Sequence, residues 1–390
     1  VNGFPAPTRP GDAAFVPLAA RVGAVAARHA AEHDREASFV GPAYEAMRES
    51  GYLRLAVPEK LGGLGATMRQ VCYAQAELAR HDGSAALAVA MHLYNTLMQA
   101  HLYGHGAAAP EGILRRIVTD DLTIATSGGS DWLWPITVAQ VQPGGALLVN
   151  GRKAFCSQAP EADVLLTCAV VNPRQPDSPG KGDEVAHFWV PLSEKGVRIA
   201  ETWDTLGMRG TASHDIVLDR VLVPPDAIVA RRAWGEFGVP LRVAAVHFAP
   251  TAGATYTGIA AMARDLAVEQ AAGRGRAPGL NAHRLVGLMD VRLRTAWWAL
   301  MGSLDELGED YTCGAAEMST VMTAKREAVL AAMEVVDLAM DLAGGAAYFR
   351  RLPLERLYRD VRAGAFHPLT PEATLSYAGR MALDGKSESL

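Results

Sequence analysis

Ala146-Leu147-Leu148-Val149-Asn150-Gly151-Arg152-Lys153-Ala154-Phe155-Cys156-Ser157 is the stretch at which the chain stops reading as helix. Ala146–Val149 is a short apolar run, Asn150-Gly151 is a hairpin signal, and Arg152–Phe155 follows as a second short run. Further runs rich in β-branched residues lie downstream at Val164–Val171, His187–Val190 and Ile216–Val223. Asn172 to Asp183 is rich in Pro and Gly and poor in apolar residues, so it reads as a loop. A β-rich domain of roughly 110 residues is expected from about Leu122 to Val229.

On both sides of this region the periodicity is helical. From about Ala13 to Gly106, Ala and Leu dominate. Pro58-Glu59-Lys60-Leu61-Gly62-Gly63-Leu64-Gly65 is a loop between two apolar runs. Met68–Arg80 and Ser84–Tyr103 read as helices, with Ser84 as the N-cap of the second. From Trp234 onward the pattern is helical again. Val321, Ala324, Ala328, Ala331, Val335, Leu338 and Leu342 recur at spacings of three and four and so share one face. Gly344-Gly345 then ends that helix. Periodicity alone gives an α+β, multidomain chain.

Composition restricts the function classes. The 390 residues are 49% hydrophobic and 20% charged, with a net charge of −5. Acidic and basic residues are interspersed, so nothing points to nucleic acid as a partner. The apolar stretches are too short to cross a bilayer, and Val1 to Asp12 has no hydrophobic signal core, so a cytoplasmic location is expected. The four cysteines, Cys72, Cys156, Cys168 and Cys313, are far apart and lack metal-ligand spacing. Buried or free thiols are expected, and no metal site.

Five segments in chain order resemble the acyl-CoA dehydrogenase superfamily. Val57 to Gly65 is similar to the family's P-E-x-x-G-G-x-G loop. Thr126-Ser127-Gly128-Gly129-Ser130-Asp131 is similar to its T-E-x-x-x-G-S-D turn, and Asn150 to Ser157 to its N-G-x-K-x-W/Y-I-T/S strand. Asp204 to Thr211 and Gly344-Gly345 through Asp360 complete the set. The resemblance implies an N-terminal helical domain (1–120), a middle β-barrel-like domain (121–232) and a C-terminal four-helix bundle (233–390). It also implies a homodimer or homotetramer that completes a flavin site across a subunit interface.

The resemblance further implies site residues. Thr126 and Ser130 would lie at the flavin pyrimidine edge, where donors stabilise the charge of a reduced flavin. Phe155 would pack on the flavin ring and Ser157 would hydrogen-bond it. Gly344 and Gly345 would let the backbone approach the dinucleotide part of FAD. Arg274, with Arg276, stands where the family contacts the pyrophosphate, but the family's aromatic neighbour is missing. FAD is therefore the expected cofactor, with FMN as the alternative.

The family's catalytic carboxylate is absent. Counting from Arg359-Asp360, its position falls on Pro368. The alternative position on an earlier helix falls near His247 and Phe248. Glu372 is one helical turn from the missing site. His367 and His92 stand out instead, since histidine titrates near neutral pH and serves as base or hydrogen-bond donor. The resemblance thus implies a flavin-dependent oxidoreductase that oxidises an acyl-CoA or similar thioester by hydride transfer to flavin N5. The alternative is a monooxygenase of the same fold, which takes reduced flavin from a reductase and uses O₂ through a C4a-hydroperoxide. An inert flavoprotein or helical scaffold is the third reading. Trp132, Trp134, Tyr94 and Tyr256 hint at an aromatic-lined pocket for a small molecule.

Overall fold

The computed structural model describes residues 4–175, 179–273 and 279–384. Five helices come first: α1 (Val16–Glu36), α2 (Gly41–Ser50), α3 (Met68–His81), α4 (Gly83–Gly104) and α5 (Pro110–Thr119). The middle region holds β1 (Ile124–Thr126), α6 (Gly129–Leu133), β2 (Val138–Val141), β3 (Leu147–Cys156), β4 (Val164–Val171), β5 (Glu184–Pro191), β6 (Val197–Ala200), β7 (His214–Val223) and β8 (Ile228–Ala233). Then come α7 (Val239–Ala272), α8 (Leu280–Leu307), α9 (Ala315–Ala343), α10 (Leu354–Val361) and α11 (Pro371–Asp384). The expected order of helices, sheet and helices is the observed one.

The strands form one sheet in the order β6-β7-β3-β2-β4-β5-β8, with β1 parallel to β4. It curls around its own core of Ala139, Leu147, Val149, Leu165, Phe188, Ile216 and Leu218. Burial alternates along much of β3 and β7, whereas β4 is buried on both faces and so reads as a continuous apolar run. Asn150-Gly151, however, is not a hairpin turn. β3 runs through it, and the register against β7 slips between Val149 and Gly151. A Cβ on Gly151 would lie 2.7 Å from Thr137 Oγ1. Asn150 Oδ1 accepts the N–H of Arg220, whose φ is 53°. The pair marks a β-bulge, a use of glycine that shares the turn's sequence signature.

Helix ends follow local chemistry. Thr67 and Gln70 form a reciprocal capping box at α3, at 3.2 and 2.9 Å. The cap of α4 is Asp82 rather than Ser84. Its Oδ1 accepts the N–H groups of Ser84 (2.8 Å) and Ala85 (3.2 Å). A carboxylate does this better than a hydroxyl because it also answers the positive end of the helix. α9 ends at Gly344, which takes φ 62°.

The helices pack around α7, which is buried on nearly all sides against α3, α4 and α9. Its sequence from His247 to Ala263 is mostly Ala, Gly and Thr. Such small side chains let neighbouring backbones approach. A Cβ on Gly258 would sit 2.2 Å from the carbonyl oxygen of Ala76 in α3. Gly258→Ala must therefore push two helices apart, and we expect it to cost about 1–3 kcal/mol. A shift of the denaturant midpoint to lower concentration measures this; an unchanged midpoint contradicts the close-packing account.

Candidate active site

The site begins where β1 ends at Thr126 and the chain turns into α6. Ser127 Oγ donates to Asp131 Oδ2 at 2.6 Å and lies 3.0 Å from Thr167 Oγ1. Lys153, fully buried in β3, donates to both Asp131 oxygens at 3.0 Å and to the carbonyl of Cys168. Three acceptors around one ammonium satisfy the charges that burial would otherwise penalise. The N–H of Gly128 donates to Ala154 O at 2.9 Å, which docks the turn on β3. The turn is thus held from beneath by a lysine that the N-G-x-K strand motif placed one residue before Ala154.

Phe155 follows at φ 57° and is 60% exposed, with the edge of Trp203 at 6.0 Å. Ser157 is buried, and its hydroxyl lies 2.8 Å from Ser213 Oγ, which lies 2.7 Å from Thr211 Oγ1. Ser130 is exposed in the first turn of α6. A bare aromatic face flanked by hydroxyls suits a flavin, which offers a flat ring system edged by hydrogen-bonding atoms.

The helical domains close on the turn from the other side. Tyr94 Oη of α4 lies 3.0 Å from Thr126 Oγ1. Its ring meets Phe248 of α7 edge-on at 5.4 Å. Phe248 in turn lies 5.7 Å from the ring of His367, and Tyr256 also lies 5.7 Å from it. The Tyr256 hydroxyl is buried with no hydrogen-bond partner among the described residues. Pro368 touches the turn directly, since a Cβ on Gly129 would lie 2.1 Å from its Cγ. Thr126, Phe155 and His367 thus belong to one contiguous surface made by all three regions.

One residue of this surface was not anticipated. Lys325 of α9 is 1% exposed and donates to the carbonyls of His367 (2.8 Å), Pro368 (3.1 Å) and Leu369 (2.8 Å). Burial pushes its pKa down to about 7. The signal was present in the sequence: Lys325 falls four residues after Val321, inside the apolar stripe of α9. A lysine there must find buried acceptors. His367 has its pKa lowered to about 3, first by loss of solvent around its ring and then by the Lys325 ammonium. It is therefore neutral throughout the physiological range.

His92 has a different setting. Its Nε2–H donates to Leu53 O at 2.6 Å and its Nδ1 accepts the N–H of Ile124 at 3.3 Å. Both ring nitrogens are engaged, so it joins α4, the segment after α2, and β1. Glu372 is exposed in the first turn of α11. His214 Nδ1 accepts the N–H groups of Thr202 and Trp203. Trp132 is buried against His187, whereas Trp134 is 43% exposed. Gly344 and Gly345 lie exposed at the end of α9, and a Cβ on Gly345 would meet nothing within 4 Å. Arg274 and Arg276 lie outside the described residues.

Residues 19–110 match the family model of the acyl-CoA dehydrogenase N-terminal domain, 125–221 that of the middle domain, and 251–372 that of the C-terminal domain. The chain belongs to the acyl-CoA dehydrogenase superfamily. It is 32% identical to L-evernosamine nitrososynthase of a Micromonospora species, over 97% of this chain and 92% of that one. It is similar to the structure of KijD3 in complex with FMN and dTDP-3-amino-2,3,6-trideoxy-4-keto-3-methyl-D-glucose. That match has TM-score 0.86 and 28% identity, over 98% of this chain and 96% of that one. It also shares the fold of dibenzothiophene monooxygenase from Paenibacillus sp. A11-2, with TM-score 0.81 and 22% identity, over 96% and 98% of the two chains. The chain is a flavoprotein oxidoreductase of this fold. No helix among the described residues is long and apolar enough to cross a membrane.

The site and its surroundings make two measurable claims. Lys325→Met should release the His367–Leu369 carbonyls and lower kcat by on the order of 10²-fold. Steady-state kinetics with flavin binding checked in parallel would test this, and unchanged kcat would remove Lys325 as a positioning residue. Burial also lowers the pKa of His92 to about 4 and of His187, His247 and His367 to about 3, all from 6.5. The unfolded chain then takes up protons below pH 6.5 that the folded chain refuses. Stability should fall as pH drops from 6.5 towards 3. Denaturant unfolding at pH 7.5, 6.5 and 5.5 measures it, and a constant midpoint between 6.5 and 5.5 would contradict the neutral burial of these rings.

Proposed function

We propose that the protein is a reduced-flavin-dependent monooxygenase that oxidises the nitrogen of an amino sugar carried on a nucleoside diphosphate. The observation that carries this reading is what stands at the family's base positions. They hold Pro368, His247 and Phe248, and none can act as a carboxylate base. The carboxylates touching the site's own framework are engaged elsewhere. Asp131 serves Lys153 and Ser127, and Asp360 is buried where it accepts the N–H of Met208. Among the described residues, neither the family's base positions nor Asp131 and Asp360 offer a free carboxylate to receive an acyl α-proton. L-Evernosamine nitrososynthase and KijD3, the latter with an amino sugar nucleotide and FMN, support the same reading.

FMN is the proposed cofactor in preference to FAD. Thr126, Ser130, Phe155 and Ser157 would hold its ring system. Bound in reduced form, it supplies the two electrons that each inserted oxygen atom requires, while the second oxygen atom leaves as water. The chain's own residues orient the amine and exclude water. Neutral His367 accepts a hydrogen bond from the substrate amine and orients it, while the low polarity around the site favours the uncharged amine, whose lone pair is then free to react. Tyr94, Phe248 and Tyr256 give an apolar wall that strengthens such hydrogen bonds. A separate reductase would deliver the flavin. Exposed Tyr348, Phe349 and Phe366 offer the apolar surface for a homo-oligomer.

The test supplies the protein with FMN, a flavin reductase, NADH, ¹⁸O₂ and a dTDP-linked amino sugar. The expected product carries ¹⁸O on nitrogen. Conversely, saturated acyl-CoAs should leave the absorbance of oxidised flavin unchanged under anaerobic conditions. Bleaching by an acyl-CoA would overturn the assignment and restore thioester dehydrogenation. His367→Ala, which removes the acceptor, should lower the rate of labelled product by on the order of 10²-fold. Near-normal turnover in that variant would take His367 out of the mechanism.

A further inference from the structure

On the face of α7 adjoining Phe248, three ligand-type side chains from three separate elements converge. They are His101 at the end of α4, His247 of α7, and Cys313 in the segment between α8 and α9. Their ligand atoms all lie within 4.8 Å of one another. His247 and Cys313 are buried, and His101 is half-buried. We propose that these three side chains form a site for a divalent transition-metal ion, zinc being the best match.

Geometry supports this on two counts. Zinc bonds to imidazole nitrogen at about 2.0–2.1 Å and to thiolate at about 2.3 Å, so tetrahedral angles put N and S about 3.6 Å apart. His101 Nε2 and Cys313 Sγ are 3.6 Å apart. The second count is the tautomer of His247. Its Nδ1–H donates to the carbonyl of Val243, one turn earlier, at 2.7 Å. That leaves Nε2 with its lone pair directed away from the helix, and backbone-held imidazoles of this kind are the usual form of a metal-ligating histidine. Nε2 now accepts a hydrogen bond from Tyr311 Oη at 2.9 Å.

The surroundings fix the ligands. Tyr311 stacks on His101 at 4.5 Å and 19°. His105 donates from Nδ1 to His101 O at 2.8 Å and its ring lies 4.1 Å from that of His101. Bringing all three ligands to one ion needs a movement of about 1 Å from the widest separation, within reach of side-chain rotation. Binding would expel the Cys313 thiol proton to solvent and leave a fourth position to water or Tyr311. Two imidazoles and one thiolate favour zinc over magnesium or calcium, which prefer oxygen. The ion would tie α4, α7 and the α8–α9 segment together directly behind Phe248. The site is independent of the reaction proposed above.

The experiment uses the full-length protein, dialysed against chelator and then against metal-free buffer. Titration with Co²⁺ should give an intense thiolate-to-cobalt band in the near ultraviolet that saturates at one ion per chain. Zn²⁺ should displace it and raise the melting temperature. Cys313→Ser should abolish the band and weaken zinc binding by on the order of 100-fold. His247→Gln should retain a band of altered shape and lower affinity, a second variant in case the first folds poorly. Absence of the band in the unsubstituted protein, or an equal band in Cys313→Ser, would show a hydrogen-bonded cluster only and overturn the proposal.

Discussion

The fold depends on how closely α7 is allowed to approach its neighbours. At Gly258 the helix has no room for a single methyl group against the α3 backbone, and at Gly253 a Cβ would meet Leu300 of α8 at 2.7 Å. These contacts fix the rotation of α7 as well as its depth. Rotation decides which residues face where. Phe248 and Tyr256 then face His367, and His247 faces His101 and the Cys313 segment. A helix this fully buried cannot be placed by an amphipathic stripe, because it has none. Small-residue contacts supply the placement instead.

Two buried lysines complete the active-site surface from opposite sides. Lys153 holds the Thr126–Asp131 turn through Asp131, and Lys325 holds the His367–Leu369 segment through three carbonyls. Ser127-Gly128 in the first segment and His367–Leu369 in the second lie outside strand and helix. Each therefore relies on a charged group whose hydrogen bonds are strong only because water is excluded. The same exclusion keeps His367 neutral. Preorganisation of the site and the protonation state of its imidazole thus have one cause, the desolvation of the seam between sheet and helices.

α9 was legible because burial on one face writes a period of 3.6 into the sequence, and β4 because a strand buried on both faces is a short continuous apolar run rich in β-branched residues. Val164–Val171 matches β4 at both ends, and Met68–Arg80 misses α3 by a single residue. Asn150-Gly151 and Ser84 misled for a shared reason. The residue types that form turns and caps also form bulges and first-turn positions, and only the neighbouring chain distinguishes them. Thr137 beside Gly151, and Asp82 two residues before Ser84, made the difference.

By itself, the sequence determined the α–β–α order, the family, and the absence of a carboxylate at the family's base positions, since each is carried by residue type at a local spacing. Tertiary structure decided the rest. It engaged both nitrogens of His92 in backbone hydrogen bonds and set His367 beside Phe248 and Tyr256. It turned Lys325 from a fault in an apolar stripe into the anchor of the His367 loop. It also brought His101, His247 and Cys313 within 4.8 Å, although the last two are 66 residues apart and show no ligand spacing. Local patterns record the path of the backbone, whereas such meetings depend on how deeply α7 sits and how far it is turned. That is set by contacts between residues distant in the chain.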